Sequence, residues 1–176
     1  MADPAKKETW IQWVALTTTI LAVCAAISSL KASSYSTKVQ LSTTREANKW
    51  GHYQAKANRE NSYRLNRDLL QVMKLDSKNP QVQRWVTDNL KRYEEEIGRY
   101  GREKEEIRKE AESIQAQQDL FQRHNGAFSL AVMILQIAIM MSAVGALIKK
   151  RRMWYLGMVM GVWGMVYMIN GFFLLF

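Results

Sequence analysis

Apolar and polar positions divide this chain into two regimes. Three windows carry no Asp, Glu, Lys or Arg: Trp10–Leu30 (21 residues), Asn125–Ile148 (24) and Met153–Phe176 (24). Each offers about the twenty residues an α-helix needs to cross a hydrocarbon core. Between the first two windows, residues 31–126 hold 19 Lys/Arg and 14 Asp/Glu. The pattern predicts an all-α integral membrane protein. Its expected parts are an N-terminal tail (1–9), a first transmembrane (TM) helix (10–30), an extramembrane insert (31–126), a second TM helix (127–148), a basic loop (149–152) and a third TM helix (153–176).

Within the insert the period changes to that of a coiled coil. Val86, Leu90, Tyr93, Ile97, Tyr100, Lys104, Ile107, Ala111, Ile114, Gln118, Phe121, Asn125 and Phe128 recur at alternating steps of four and three, without a break in phase at the second span. Asn79-Pro80 reads as an N-cap followed by a first helical residue, so a turn is expected near 77–80. The two arms would then form a long antiparallel coiled-coil hairpin, a stalk about 70 Å in length at 1.5 Å per residue. Hairpin symmetry sets Ala57 against Tyr100, Trp50 against Ile107, Thr43 against Ile114 and Ser36 against Phe121. The expected seam therefore comprises Trp50, Tyr53, Ala57, Leu90, Tyr93, Ile97, Tyr100, Ile107, Ile114 and Phe121. Lys56 with Glu103 and Lys49 with Glu110 would fix the register. A small-residue stripe, Ala22, Ala25, Ser29, Ala32 and Ser36, crosses the end of the first span with no Gly or Pro, so one helix is expected to leave the membrane unbroken. Thr43, Glu46, Arg64 and Arg67 fall at seam positions, which makes the first arm too polar to be held by burial alone; a homo-oligomer of hairpins is expected.

Charge adds orientation. The net charge is +9, and its densest run is Lys149-Lys150-Arg151-Arg152, a loop suited to anionic membrane lipid rather than to nucleic acid. With Lys6 and Lys7 this loop outweighs the cations flanking the insert, Lys31, Lys38, Arg45 and Arg123. The N-terminus is therefore expected on the cytoplasmic side of the membrane, with the hairpin and C-terminus on the outer side. Trp10, Trp13, Trp154 and Tyr155 would form the cytoplasmic aromatic belt. The first span is expected to be retained rather than cleaved: Val23 stands where a lipoprotein box needs a small residue, and apolar residues continue past Cys24.

Candidate chemistry is sparse. His52 and His124 lie far apart on opposite arms, and the methionines of the last two spans read as flexible core filler. No acid, base and nucleophile set can be assembled, so no enzyme activity, metal or cofactor is expected. Gly157, Gly161, Gly164 and Gly171 trace one face of the third span, a packing surface in lipid. Gly98 and Gly101 mark a hinge or a close crossing in mid-arm. Thr18 and Ser29 belong to a polar set that either bonds between helices or lines a pore.

Trp50-Gly51-His52-Tyr53-Gln54-Ala55-Lys56, with Ser42-Thr43-Thr44 before it, resembles the bacterial membrane family known as domain of unknown function 4337. The likeness is clearest over Leu16 to Glu60 and implies a membrane protein with three spans; it carries over no catalytic or ligand residue. The expected role is a homo-oligomeric membrane scaffold whose rigid stalk meets an envelope protein partner. The alternatives are a pore-forming oligomer lined by the first span and a sensor-like module without its own output domain.

Overall fold

The computed structural model is all-helical and describes residues 4–76 and 78–175, with side chains from Trp10 onward. The Lys6 and Lys7 side chains, Ser77 of the expected turn and Phe176 lie outside the described set. Helix α1 spans Pro4–Asp76 (73 residues), α2 spans Pro80–Leu147 (68) and α3 spans Arg151–Phe173 (23). All three are long and apolar enough to cross a membrane. α1 begins at Pro4, ahead of the boundary that charge alone suggested at Trp10.

Local chemistry sets the helix ends. At the start of α2, the Asn79 side-chain oxygen accepts a hydrogen bond from the Gln81 N–H (2.9 Å), and its carbonyl accepts from Gln83 (3.0 Å). This is the N-cap expected ahead of a proline at the first helical position. At the other end of α2, Lys150 N–H donates to the Gly145 carbonyl (3.0 Å) and Lys149 N–H to that of Ala146 (3.2 Å). Those two bonds form a Schellman motif, in which the residue at Lys149 must adopt a left-handed backbone. Lys149 does so with φ 54°, although a non-glycine residue there costs about 1 kcal/mol.

The chain divides into two compact units. The bundle unit comprises residues 1–40 and 118–176, and the paired-arm unit comprises 41–117. In the bundle, Leu21, Ala25, Leu135 and Ala138 form a buried cluster, with Cys24, Ile139, Met160 and Met165 packed against it. Larger apolar side chains point outward: Leu16, Ile20, Val23 and Ile27 on α1, Met133, Ile137, Met140 and Val144 on α2. α3 runs antiparallel to α2, since Gly157 approaches Ala138 and Ser142, Gly164 approaches Leu135, and Gly171 approaches Phe128.

In the paired-arm unit the partners descend on α2 as they ascend on α1: Lys49 with Glu110, Lys56 with Glu103, Tyr63 with Tyr93. The α2 column is buried or half-buried at every heptad position from Val86 to Ile114. On α1 the expected positions Glu46, Tyr53 and Arg67 also lie inward, in one column with Glu60. Its companion lies one residue earlier than the sequence suggests: Ser42, Lys49, Lys56 and Tyr63 face the seam where Thr43, Trp50, Ala57 and Arg64 were expected. Thr43 and Arg64 are exposed, Trp50 is 39% exposed, and Ala57 stands half-buried at the edge. In the bundle unit the same shift places Leu21, Ser28 and Tyr35 inward, and leaves Ala22 and Ser29 outside. Ser36 is half-buried, but Tyr35 is the residue that meets Phe121, with ring centroids 6.3 Å apart. The physical reason is surface area: Tyr35 and Tyr63 bring aromatic rings to the contact, where Ser36 and Arg64 bring none.

Gly98 and Gly101 neither break nor crowd α2. A Cβ at Gly101 would meet nothing within 4 Å, and one at Gly98 only the end of Arg102, at 3.8 Å. Replacing Gly101 by Ala should therefore raise the stability of the paired arms by about 1 kcal/mol, the helix-propensity difference, read as slower amide exchange around residue 101. Loss of protection there would restore the hinge reading.

Candidate functional site: an ionic and aromatic seam

The densest chemistry among the described residues lies in the paired-arm unit around Glu60. This carboxylate is 4% exposed. It accepts hydrogen bonds from Arg64 Nε (3.0 Å) and Nη2 (2.5 Å), one turn along α1, and pairs with Lys104 Nζ of α2 at 2.5 Å. The Lys104 ammonium also lies 5.6 Å from the centroid of the Tyr53 ring. One turn back toward the start of α1, Lys56 pairs with Glu103 at 2.6 Å and lies 5.3 Å from the Tyr100 ring. Arg99 approaches the same ring at 4.9 Å. Tyr63 stacks on Tyr100 (5.7 Å) and meets Tyr93 edge-on (5.5 Å). Lys49 pairs with Glu110, so both register pairs read from the sequence are present.

Heptad geometry explains the arrangement. Positions seven apart return to one face, so Tyr53 and Glu60 on α1, and Ile97 and Lys104 on α2, each occupy a single column. The lysine stems cover apolar surface while their ammonium groups reach a carboxylate or a ring face. The Lys104 hydrogen bond holds the Glu60 carboxyl below its ordinary value of 4.5, against the opposing effect of burial, with help from Arg64. Glu103 is likewise held low, chiefly by its hydrogen bond with Lys56.

The bundle unit contains a second organised surface. Gly157, Gly161 and Gly164 are buried, as is Gly171. A Cβ on Gly161 would come within 2.8 Å of Leu21, one on Gly164 within 2.7 Å of Leu135 and one on Gly171 within 2.9 Å of Phe128. This glycine face is thus occupied by α1 and α2 of its own chain and is not available to a second copy. The His124 Nδ1–H donates to the Gly171 carbonyl (2.8 Å), and its ring stacks on Tyr35 (4.7 Å).

The remaining small-residue candidates separate. Ala25 is buried, Thr18, Ala32 and Ser36 are half-buried, and Ala22 and Ser29 are exposed. Ser29, Ala32, Ser33 and Ser36 line an open groove of about 390 Å³ with Asn125, Ser129 and Val132. Thr17, Thr18 and Thr19 donate to main-chain carbonyls of their own helix at 2.8–3.0 Å. Among the seam candidates, Tyr53, Leu90, Tyr93, Ile97, Ile107 and Ile114 are half-buried and Tyr100 is buried; Phe121, in the bundle unit, is half-buried. Sequence reasoning missed Glu60, Tyr63 and Tyr35. Glu60 sits seven residues after Tyr53, and that spacing was the available signal.

The fold defines a class first: an all-helical chain with three helices of membrane-spanning length and a charged segment carried by the first two. Within that class the chain belongs to the family described as Domain of unknown function (DUF4337), which matches residues 10–174. Comparison with curated proteins and with solved structures finds no match.

The pH dependence has a defined sign. Glu60 and Glu103 are more acidic in the folded state, so the unfolded chain binds more protons as the pH drops through 4.5. The stability they contribute is complete above that value and is lost as the pH falls toward their folded values. Amide protection in the paired arms should hold from pH 7 to 5 and fall steeply below about 4.5. Glu60→Gln should weaken protection at neutral pH and flatten the acid limb; an acid limb as steep as wild type would show that other carboxylates govern it.

Proposed function

We propose that this chain is a homo-oligomeric integral membrane scaffold. In this reading the bundle unit forms three transmembrane helices, and the paired arms form a coiled-coil hairpin that presents a rigid surface to an envelope protein partner. The observation that carries the membrane assignment is the distribution of side chains in the bundle: most buried positions are glycine, alanine or serine, joined by Val14, Leu21, Phe128 and Leu135, while many Leu, Ile, Val and Met side chains turn outward. Helices in lipid gain from close contact between small residues and pay nothing for apolar surface left facing acyl chains.

Self-association is supported by the paired-arm unit. Leu65, Leu69, Val72 and Met73 are 66%, 63%, 65% and 53% exposed, at helical spacing on the side of α1 away from the seam. Neighbouring hairpins would cover such a stripe, which is costly to leave in water. The scaffold reading ranks ahead of the pore reading because the hydroxyls of Thr17, Thr18 and Thr19 already bond to their own helix and need no water-filled lumen. The orientation that follows from loop charge keeps the N-terminus cytoplasmic and the arms periplasmic.

The mass of the particle in nanodiscs, by native mass spectrometry, tests the proposal. A single defined stoichiometry above one is expected, and replacing Leu65, Leu69 and Val72 by Gln should lower it. A monomer would overturn the scaffold as described.

A further inference from the structure

We infer that the turn Lys149–Arg152 is a docking surface for the phosphate groups of anionic phospholipids. The inference deepens the proposed function and rests on its placing of the bundle unit in a bilayer. The turn holds four consecutive cations, all exposed. Among the described residues, every ion pair lies between Lys49 and Glu112, so these four are neutralised by none of them. Four adjacent like charges repel one another and gain from a bound anion.

Three further features point to a lipid. First, Lys149 holds a left-handed backbone (φ 54°) at the position of a Schellman motif where glycine is the usual residue. The chain keeps a cation there against conformational preference. Second, the turn is braced against α1 by aromatic residues: Arg151 lies 5.6 Å from the Trp10 ring, Trp10 and Trp154 are 6.5 Å apart, and Trp154 Nε1–H donates to Thr17 Oγ1 at 3.2 Å. Third, the cations are bordered by exposed apolar side chains, Leu147 (82%) and Ile148 (47%) before them and Tyr155 (57%) after. A soluble phosphate would satisfy the charge and leave that border bare. An amphiphile with an anionic head matches both, as clusters of Lys/Arg beside an aromatic belt do at a membrane surface.

The test uses the full-length protein purified in mild detergent and offered equal amounts of phosphatidylglycerol and phosphatidylcholine, with retained lipid counted by native mass spectrometry. Phosphatidylglycerol should be enriched about tenfold, and replacing Lys149, Lys150, Arg151 and Arg152 by Gln should bring the ratio close to one. Replacing Arg84, Lys91, Arg92 and Lys109 by Gln removes the same charge from the paired arms and should leave the enrichment intact. If the quadruple turn variant does not fold, Lys149→Gly keeps the turn geometry, removes one cation and should lower the enrichment about twofold. Equal retention of the two lipids by the wild type overturns the inference while leaving the membrane reading in place. So does equal loss in the paired-arm control, or displacement of phosphatidylglycerol by inorganic phosphate. Retention of neither lipid overturns both.

Discussion

Glu60 is a carboxylate buried between two long helices, and the pairing of those helices turns on how it is neutralised. On the α1 side of the paired arms, Leu70 is the one buried apolar side chain among the described residues. The rest of that face is Ser42, Glu46, Lys49, Tyr53, Lys56, Glu60, Tyr63 and Arg67. A face so polar gives a nonspecific hydrophobic attraction little to work on, so the pairing depends on partners meeting in register. Lys104 meets Glu60, Lys56 meets Glu103 and Lys49 meets Glu110; sliding one arm by a turn would separate all three. The exposed pair, Lys49 with Glu110, contributes little beyond specificity. Glu60 is different: deprived of Lys104 it would be left a buried charge held only from its own helix, by Arg64.

The two units solve opposite packing problems with the same two helices. In the bundle, close approach does the work: glycines of α3 let Leu21, Leu135 and Phe128 come nearer than any Cβ would permit. Few polar groups intervene there: Ser142 Oγ donates to the Ala138 carbonyl and His124 to that of Gly171, whereas the buried Ser28 Oγ has no hydrogen-bond partner among the described residues. In the paired arms, long side chains do it instead, with lysine stems and tyrosine rings filling a contact that has no apolar core of the bundle's kind. The change follows the sequence directly, from Ala/Ser/Gly-rich windows without charge to a segment dense in Lys, Arg and Glu.

Much of this was legible before the structure, and what was not has a physical cause. α2 could be read position by position because its heptad column is marked by Val, Leu, Ile, Tyr and Phe against a charged background. The N-cap at Asn79 and two of the interhelical ion pairs were readable for the same reason: each rests on one residue type at one spacing. α1 was misread by a single residue along one column. Steps of three-then-four and four-then-three share their other column, and only apolar side chains distinguish them. With Ser, Lys and Glu at the contact, that marker is missing, and Trp50 drew the seam toward itself although its indole N–H bonds to Glu46 of its own helix. The glycine face of α3 announced close packing without naming its partner, which the structure gives as α1 and α2. Lys149 was unreadable, because a left-handed C-terminal position is recognised in sequence by the glycine this chain lacks there.

A double-mutant cycle on Glu60 and Lys104 tests the central claim most directly. Stability of the arms would be read from amide exchange over residues 54–66 and 98–110 in Glu60→Gln, Lys104→Met and the double variant, at neutral pH. The account predicts that each single change is costly and that the double variant recovers about 2 kcal/mol relative to their sum, because removing both partners leaves no stranded charge. Additivity within about 0.5 kcal/mol would contradict it, and would mean that the two helices hold their register without this pair.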